Sequence, residues 1–218
     1  MATADEALSA DAWIRRFAGT VRSTEAQLTA LDQQVGDGDF GTNLSAGTTA
    51  ALTRLDALGA PGDAEALEAA ATAFLNEVGG TSGPLFGLLL QSLAASVAAL
   101  SLTTPALAKG VAGGLASISR VGGAAPGDKT LVDALAPAAG VLEALPDRTP
   151  PTAALNAAAE AAWQGVRDTT RLRARMGRSS YVGERAAGVP DPGAVGVALL
   201  FASAAGVVGD LAPYVHAS

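Results

Sequence analysis

The sequence predicts an all-α protein, a bundle of eight antiparallel helices. Three observations carry that expectation. Hydrophobic residues make up 49% of the 218 positions but aromatic residues only 4%; alanine, leucine and valine dominate, where a sheet would favour β-branched and aromatic side chains. Apolar residues recur at helical spacing. Clusters of glycine, proline and aspartate divide the chain into eight such stretches with short connections. No linker-like composition separates them, so 1–218 is expected to form a single domain, long enough to bury a sizeable core.

The first helix is expected over 10–34, where Ile14, Phe17, Val21, Leu28 and Leu31 share one face. The second covers 43–58. The third begins near Asp63, a candidate N-cap, and ends at Gly79 and Gly80, candidate C-caps. The fourth covers 84–100. The fifth starts near Thr104, with Pro105 in the first turn where proline is tolerated, and ends at Gly122 and Gly123. The sixth covers 130–145, and the seventh runs from Thr152, after two prolines, to about Thr170. The eighth runs from Pro192 to about Leu211. Two runs, 83–100 and 192–209, carry no charge and approach membrane-spanning length. Gln91 interrupts the first, Asp191 and Asp210 bracket the second, and no cluster of Lys or Arg flanks either. Both read as buried helices rather than membrane spans.

Charge and composition exclude several classes of function. The net charge is −7 and only two lysines occur, Lys109 and Lys129, so no basic stripe is present to meet a nucleic acid. Without cysteine there is no disulfide, thiolate nucleophile or Cys-type zinc site. The acidic first residues lack the apolar segment of a signal peptide, and a cytoplasmic protein is expected.

In an up-and-down bundle, alternate loops share one end of the molecule. The loops GDGDFGTN, GGTSGP, GGAAPGDKT and GRSSYVGERAAGVPDPG then gather at one rim. The other end carries GAPGD, LTTP and PDRTPP, which are ordinary turns. Gly, Asp, Ser, Thr and Arg thus concentrate where a ligand can meet backbone at close range.

The densest chemistry on that rim is LDQQVGDGDFGTN. Asp32, Asp37 and Asp39 place three carboxylates within eight residues. Such a cluster suits Mg²⁺, a hard cation that takes oxygen ligands and completes its shell with substrate phosphates; aspartates also cap helices and form turns, and spacing alone leaves both readings open. A calcium EF-hand does not fit, because Thr42 stands where that loop needs glycine and no glutamate follows at its last position. GGAAPGDKT is not a P-loop: Asp128 intrudes before Lys129, and a helix precedes it where a strand is required. Lys129 is open to two readings, a phosphate contact or a salt-bridged surface residue. GGTSGP and DPG each open a helix, and helix N-termini attract anions as well as needing caps. Arg178 suits either a phosphate or a carboxylate. His216 is expected to be solvated.

Four segments together, LDQQVGDGDFGTN, GGTSGPLFG, PGDKTLVDALAP and GRSSYVGERAAG with PDPGA, resemble the L-type domain of dihydroxyacetone kinases, in the same order and over essentially the whole chain. The resemblance implies an eight-helix antiparallel barrel with ADP or ATP at one end. It implies two Mg²⁺ ions on Asp32, Asp37 and Asp39. Nucleotide contacts carry over to Phe40, Gly41, Thr42 and Asn43, to Thr81 and Ser82, to Gly123 and Leu131, and to Arg178, Asp191, Pro192 and Gly193. One departure stands out. The family usually has histidine after the third aspartate, and here Phe40 follows Asp39, a side chain that cannot donate a hydrogen bond to phosphate.

The implied chemistry is phosphoryl transfer to an alcohol group of a short ketose such as dihydroxyacetone. It depends on positioning and charge neutralisation rather than a covalent nucleophile, and no catalytic residue is assigned. The ketose would be held by a separate K-type subunit, which has no counterpart in this chain. The phosphoryl donor is ATP in some family members and a phosphotransferase-system protein that recharges bound ADP in others. Competing readings are a non-enzymatic, ADP-binding regulatory partner with a degenerate site and a purely structural bundle.

Overall fold

The structure, a computed structural model, describes residues 8–177 and 179–215. Those residues are helical or irregular, with no strand among them. The elements are α1 (Ala10–Val35), α2 (Phe40–Leu58), α3 (Asp63–Glu77), α4 (Ser82–Leu100), α5 (Thr104–Gly122), α6 (Val132–Ala144), α7 (Pro151–Thr169), the short α8 (Ser179–Val182) followed by a 3-10 turn (Gly183–Ala186), α9 (Pro192–Ala202) and the short α10 (Ala212–Val215).

Eight long helices form a closed up-and-down ring, as expected. From α1 to α7 each packs on its neighbour in the chain, α9 packs on α7, and α9 meets α1 to close the circuit. The closure is pinned by Trp13, fully buried, whose indole N–H donates to Leu200 O at 2.7 Å. Small residues let the helices approach. A Cβ at Gly165 would meet Asp133 O across the α6–α7 contact, and one at Gly110 would lie 2.8 Å from Leu93 Cα across α4–α5. The core inside is a continuous cluster of aliphatic side chains with Trp13, Phe17, Phe74, Phe86 and Phe201. By length and composition α4 could cross a membrane, but half of its apolar window is buried inside this fold.

Helix α3 ends at Glu77 with Val78 as its C-cap, short of the expected Gly79 and Gly80, and three other boundaries differ where side chains intervene. Helix α2 begins at Phe40 rather than 43, because the carboxylate of Asp32, on α1, accepts the Phe40 N–H at 3.1 Å and opens the helix from outside. Asp63 is not the N-cap of α3; Gly62 is, its N–H accepted by Glu65 at 2.9 Å, and Asp63 instead accepts the Ala10 N–H at 2.8 Å, at the start of α1. Helix α9 stops at Ala202 instead of continuing to 211. There the buried Ser203 hydroxyl donates to Leu199 O, and the following segment is drawn across α1: Arg16 donates to Ala204 O, Val208 N–H to the Thr20 hydroxyl and Leu211 N–H to the Gln27 carbonyl. Apolar content alone predicts a longer helix; hydrogen bonds from α1 end it.

Candidate functional site

The loops following α1, α3, α5 and α7 meet at one end of the ring and wall a single cavity with the helix ends they join. The first loop supplies Asp37 and Asp39, with Asp32 from the last turn of α1. The second supplies Gly80 and Thr81, with Ser82 and Leu85 of α4. The third supplies Ala124 and residues 129–131, beside Ile118 and Gly122 of α5. The fourth supplies Met176, Gly177 and Asp191, with Ser179 of α8 and Pro192 and Gly193 of α9.

The first loop is shaped to turn back over an aspartate. Gly36 passes so close to Asp32 that a Cβ there would collide with its carboxylate, and Gly38 has φ +79°, which an L side chain resists. The turn brings one carboxylate oxygen from each of Asp32, Asp37 and Asp39 within 4.8 Å of the other two. Asp32 is buried and Asp37 exposed, so the cluster spans the cavity wall from floor to mouth. A set of three hard anionic oxygens at this spacing fits an oxygen-loving divalent cation, and it is hard to hold together without one.

Two long helices direct their N-termini at the same space. Helix α4 opens at Ser82 with no side-chain cap, leaving its first amides to the cavity. Helix α9 opens at Asp191, whose carboxylate accepts the Ala194 N–H at 2.7 Å. Asp191 is almost fully buried, and that burial pushes its pKa up to about 7; the Ala194 N–H and the charge of Lys129 oppose the rise, and Asp133 and Asp32 add to it. Lys129 is no surface residue. Its side chain is 1% exposed, and its ammonium donates to Thr169 O and Val189 O, both at 2.6 Å. Burial lowers its pKa, against the pull of Asp191 and Asp133.

Of the residues expected to contact nucleotide, Phe40, Asn43, Thr81, Ser82, Leu131, Asp191, Pro192 and Gly193 line the cavity together with the three aspartates. Phe40 contributes an apolar floor, its ring against Gly196 of α9. Gly41 does not line the cavity: it lies against α1, where a Cβ would sit 2.5 Å from Glu25 O. Thr42 faces a separate groove with Glu25 and Ser45. Gly123 ends α5 at φ +71°, between Gly122 and Ala124, which do reach the wall. Arg178 and His216 lie outside the described residues. Sequence reasoning missed Leu85, Ile118 and Met176, the apolar side of the cavity. For Leu85 and Ile118 the signal was available, since both stand one helical turn inside the rim. It also missed Asp133, which accepts the Gly127 and Thr130 N–H groups and shapes the third loop.

The profile of the DAK2 domain matches residues 34–206. The chain is 36% identical over 191 residues to the ADP-binding subunit DhaL of the PEP-dependent dihydroxyacetone kinase of Escherichia coli K12, covering 85% of this chain and 89% of that one. It is 34% identical over 192 residues to the corresponding subunit of kinase 1 from Listeria innocua, covering 87% and 90%. Its fold superposes on the crystal structure of the dihydroxyacetone kinase of C. freundii in complex with AMP-PNP and Mg²⁺, with TM-score 0.68 and 26% identity, over 93% of this chain and 35% of that larger enzyme.

Proposed function

The chain belongs to the DAK2 domain family, and from that premise we propose that it is the ADP- or ATP-binding subunit of a dihydroxyacetone-type kinase. The observation that carries the reading is the meeting of three carboxylate oxygens within 4.8 Å of one another, in a cavity that also receives the N-termini of α4 and α9.

Asp32, Asp37 and Asp39 hold two Mg²⁺ ions, which supply the charge neutralisation that a polyphosphate needs for phosphoryl transfer. The amides of Ser82 and Gly83 at the start of α4 and of Gly193 in α9, with the hydroxyls of Thr81 and Ser82, hold phosphate oxygens. The apolar side formed by Leu85, Ile118, Leu131 and Met176 takes the base. Phe40 keeps water from the floor, and no histidine stands there to donate to phosphate. Gly41 and Thr42 act by backbone placement in the first turn of α2, and Gly123 by ending α5. Arg178 remains the candidate cation for the transferring phosphoryl group. Residues 1–218 then work as one nucleotide-binding unit.

The short ketose is held by a separate K-type subunit, so the isolated chain turns over no substrate and gains kinase activity when that subunit and a phosphoryl donor are added. The two PEP-dependent relatives support ADP that stays bound and is recharged in place by a phosphotransferase-system donor. Titration calorimetry tests the reading: ADP with Mg²⁺ binds the native chain, and Asp37→Asn weakens it about a hundredfold by removing an anionic ligand from a hard cation. Binding that is the same in the variant, or absent in the native chain, refutes it.

A further inference from the structure

The segment 170–190, between α7 and α9, is the longest connection in the fold and the least regular part of the cavity wall. It leaves the ring at Thr169 and returns at Asp191. Between those points it places Met176, Gly177 and Ser179 on the cavity. A connection of this length has a large conformational entropy to lose before it can present a fixed wall. Something must close its neck.

Lys129 does so from a different loop. Its ammonium donates to Thr169 O, the last carbonyl of α7, and to Val189 O, three residues before α9, each at 2.6 Å. One cation thus joins the departing strand of chain to the returning one. The charge sits at the negative end of the α7 dipole, where a cation is favoured. Two further bonds close the same neck: Gly188 N–H to Thr170 O at 3.0 Å, and Asp191 N–H to the Thr169 hydroxyl at 2.9 Å. Next to Lys129, Asp128 holds the outgoing leg, its carbonyl accepting the Arg175 N–H at 3.1 Å and its carboxylate 3.6 Å from the Arg175 guanidinium.

The backbone is arranged to aim this side chain inward. Lys129 has φ +61°, a left-handed conformation that a non-glycine residue adopts only at an energetic cost. Its side chain is 1% exposed, among the largest fully buried in the protein. A buried ammonium is held only where it is paired or hydrogen-bonded, so the carbonyls at the neck are what make this placement tenable. A buried lysine with left-handed backbone on the wall of the cavity is the kind of local strain that clusters at ligand sites.

We infer that Lys129 is a positioning residue of the nucleotide site: its ammonium clasps both ends of the 170–190 segment and so fixes the wall that this segment presents to the ligand. The inference rests on the nucleotide reading given above. Lys129 acts through backbone carbonyls and touches no reacting atom. Its loss therefore raises the nucleotide concentration required and leaves the chemical step unchanged.

The test compares the native chain with Lys129→Met, which keeps the length of the side chain and removes the charge and donors. With ADP and Mg²⁺ in calorimetry, the variant is expected to bind about tenfold or more weakly. With a K-type subunit and a phosphoryl donor added, the ADP concentration that gives half-maximal activity rises while kcat at saturation stays within about twofold. Trypsin cuts after Arg171, Arg173 and Arg175 faster in the variant, and sites elsewhere keep their resistance. A variant whose affinity and cleavage match the native chain overturns the inference. Should the variant fail to fold, hydrogen exchange on the native chain decides: the Gly188 and Asp191 amides are expected to be protected without nucleotide, and free exchange at both overturns the clasp. A native chain that binds no ADP with Mg²⁺ refutes the nucleotide reading instead, while the cleavage and exchange results still judge the clasp.

Discussion

The ring of Phe40 lies against the backbone of Gly196: a Cβ built on that glycine would fall 2.8 Å from Phe40 Cζ, and equally 2.8 Å from Phe86 Cζ. Phe40 therefore serves two masters. Its amide bonds the Asp32 carboxylate of the aspartate cluster, while its ring, 5% exposed, is core.

This contact makes Gly196→Ala an overpacking change at the cavity floor. Both rings are buried, so a loss of about 1–3 kcal/mol in unfolding free energy is expected. Urea denaturation measures it. Because Phe40 lines the cavity, ADP affinity should fall with stability, and a variant as stable as the native chain would show that the two rings can move aside.

Gly41→Ala should act where α2 rests on α1. A Cβ there would sit 2.5 Å from Glu25 O and 2.9 Å from Thr29 N, both backbone atoms that cannot swing away. A destabilisation of about 2 kcal/mol or more is expected, again by urea denaturation. A mild effect on stability with a strong effect on ADP binding would return Gly41 to direct nucleotide contact.

Metal removal should separate the two halves of the ligand. ADP with Mg²⁺ at about a hundred times its dissociation constant stabilises the fold by about 2.7 kcal/mol, a rise of several degrees in Tm. The same ADP with EDTA should give little or none of that rise, because the aspartates then face the phosphates without a bridging cation. Equal shifts in both conditions would place the phosphates away from the aspartates.

Asp191 gives the ligand-free protein a pH dependence of defined sign. Its folded pKa, about 7, lies above the ordinary 3.8, so between those values the folded state holds more protons than the unfolded one. Its contribution to stability is fully present below about pH 4, falls as pH rises toward 7, and levels off above. The full span corresponds to roughly 4 kcal/mol. Asp191→Asn retains an oxygen for the Ala194 N–H and should flatten the profile, as read by urea denaturation across pH without divalent cations. A native profile that rises over this interval would contradict the burial of the charge.

Much of this was legible in the residues themselves. Helical spacing and glycine or proline punctuation located the eight long helices, most boundaries within two or three positions. Loop alternation places four decorated loops at one end, and the cavity is walled by those four. The closeness of the three aspartates was local in the sequence, an eight-residue stretch that turns through Gly36 and Gly38, although spacing alone left metal ligand and helix cap both open.

The features that escaped the sequence all depend on partners distant along the chain. Asp32 opens α2, Asp63 meets the start of α1, and Thr20 and Gln27 receive the segment beyond α9. Gly41 and Thr42 stand beside each other in the sequence, yet one faces α1 and the other a different groove, as helix rotation dictates. Lys129 was readable as a lysine on a rim loop but not as a buried clasp, since Thr169 and Val189 lie 40 and 60 residues away. Sequence by itself determined the helices and the local aspartate cluster, because periodicity and short-range turns are local physics. Only the tertiary structure decided which carbonyls and carboxylates meet across the ring, because those pairings exist only once the ring has closed.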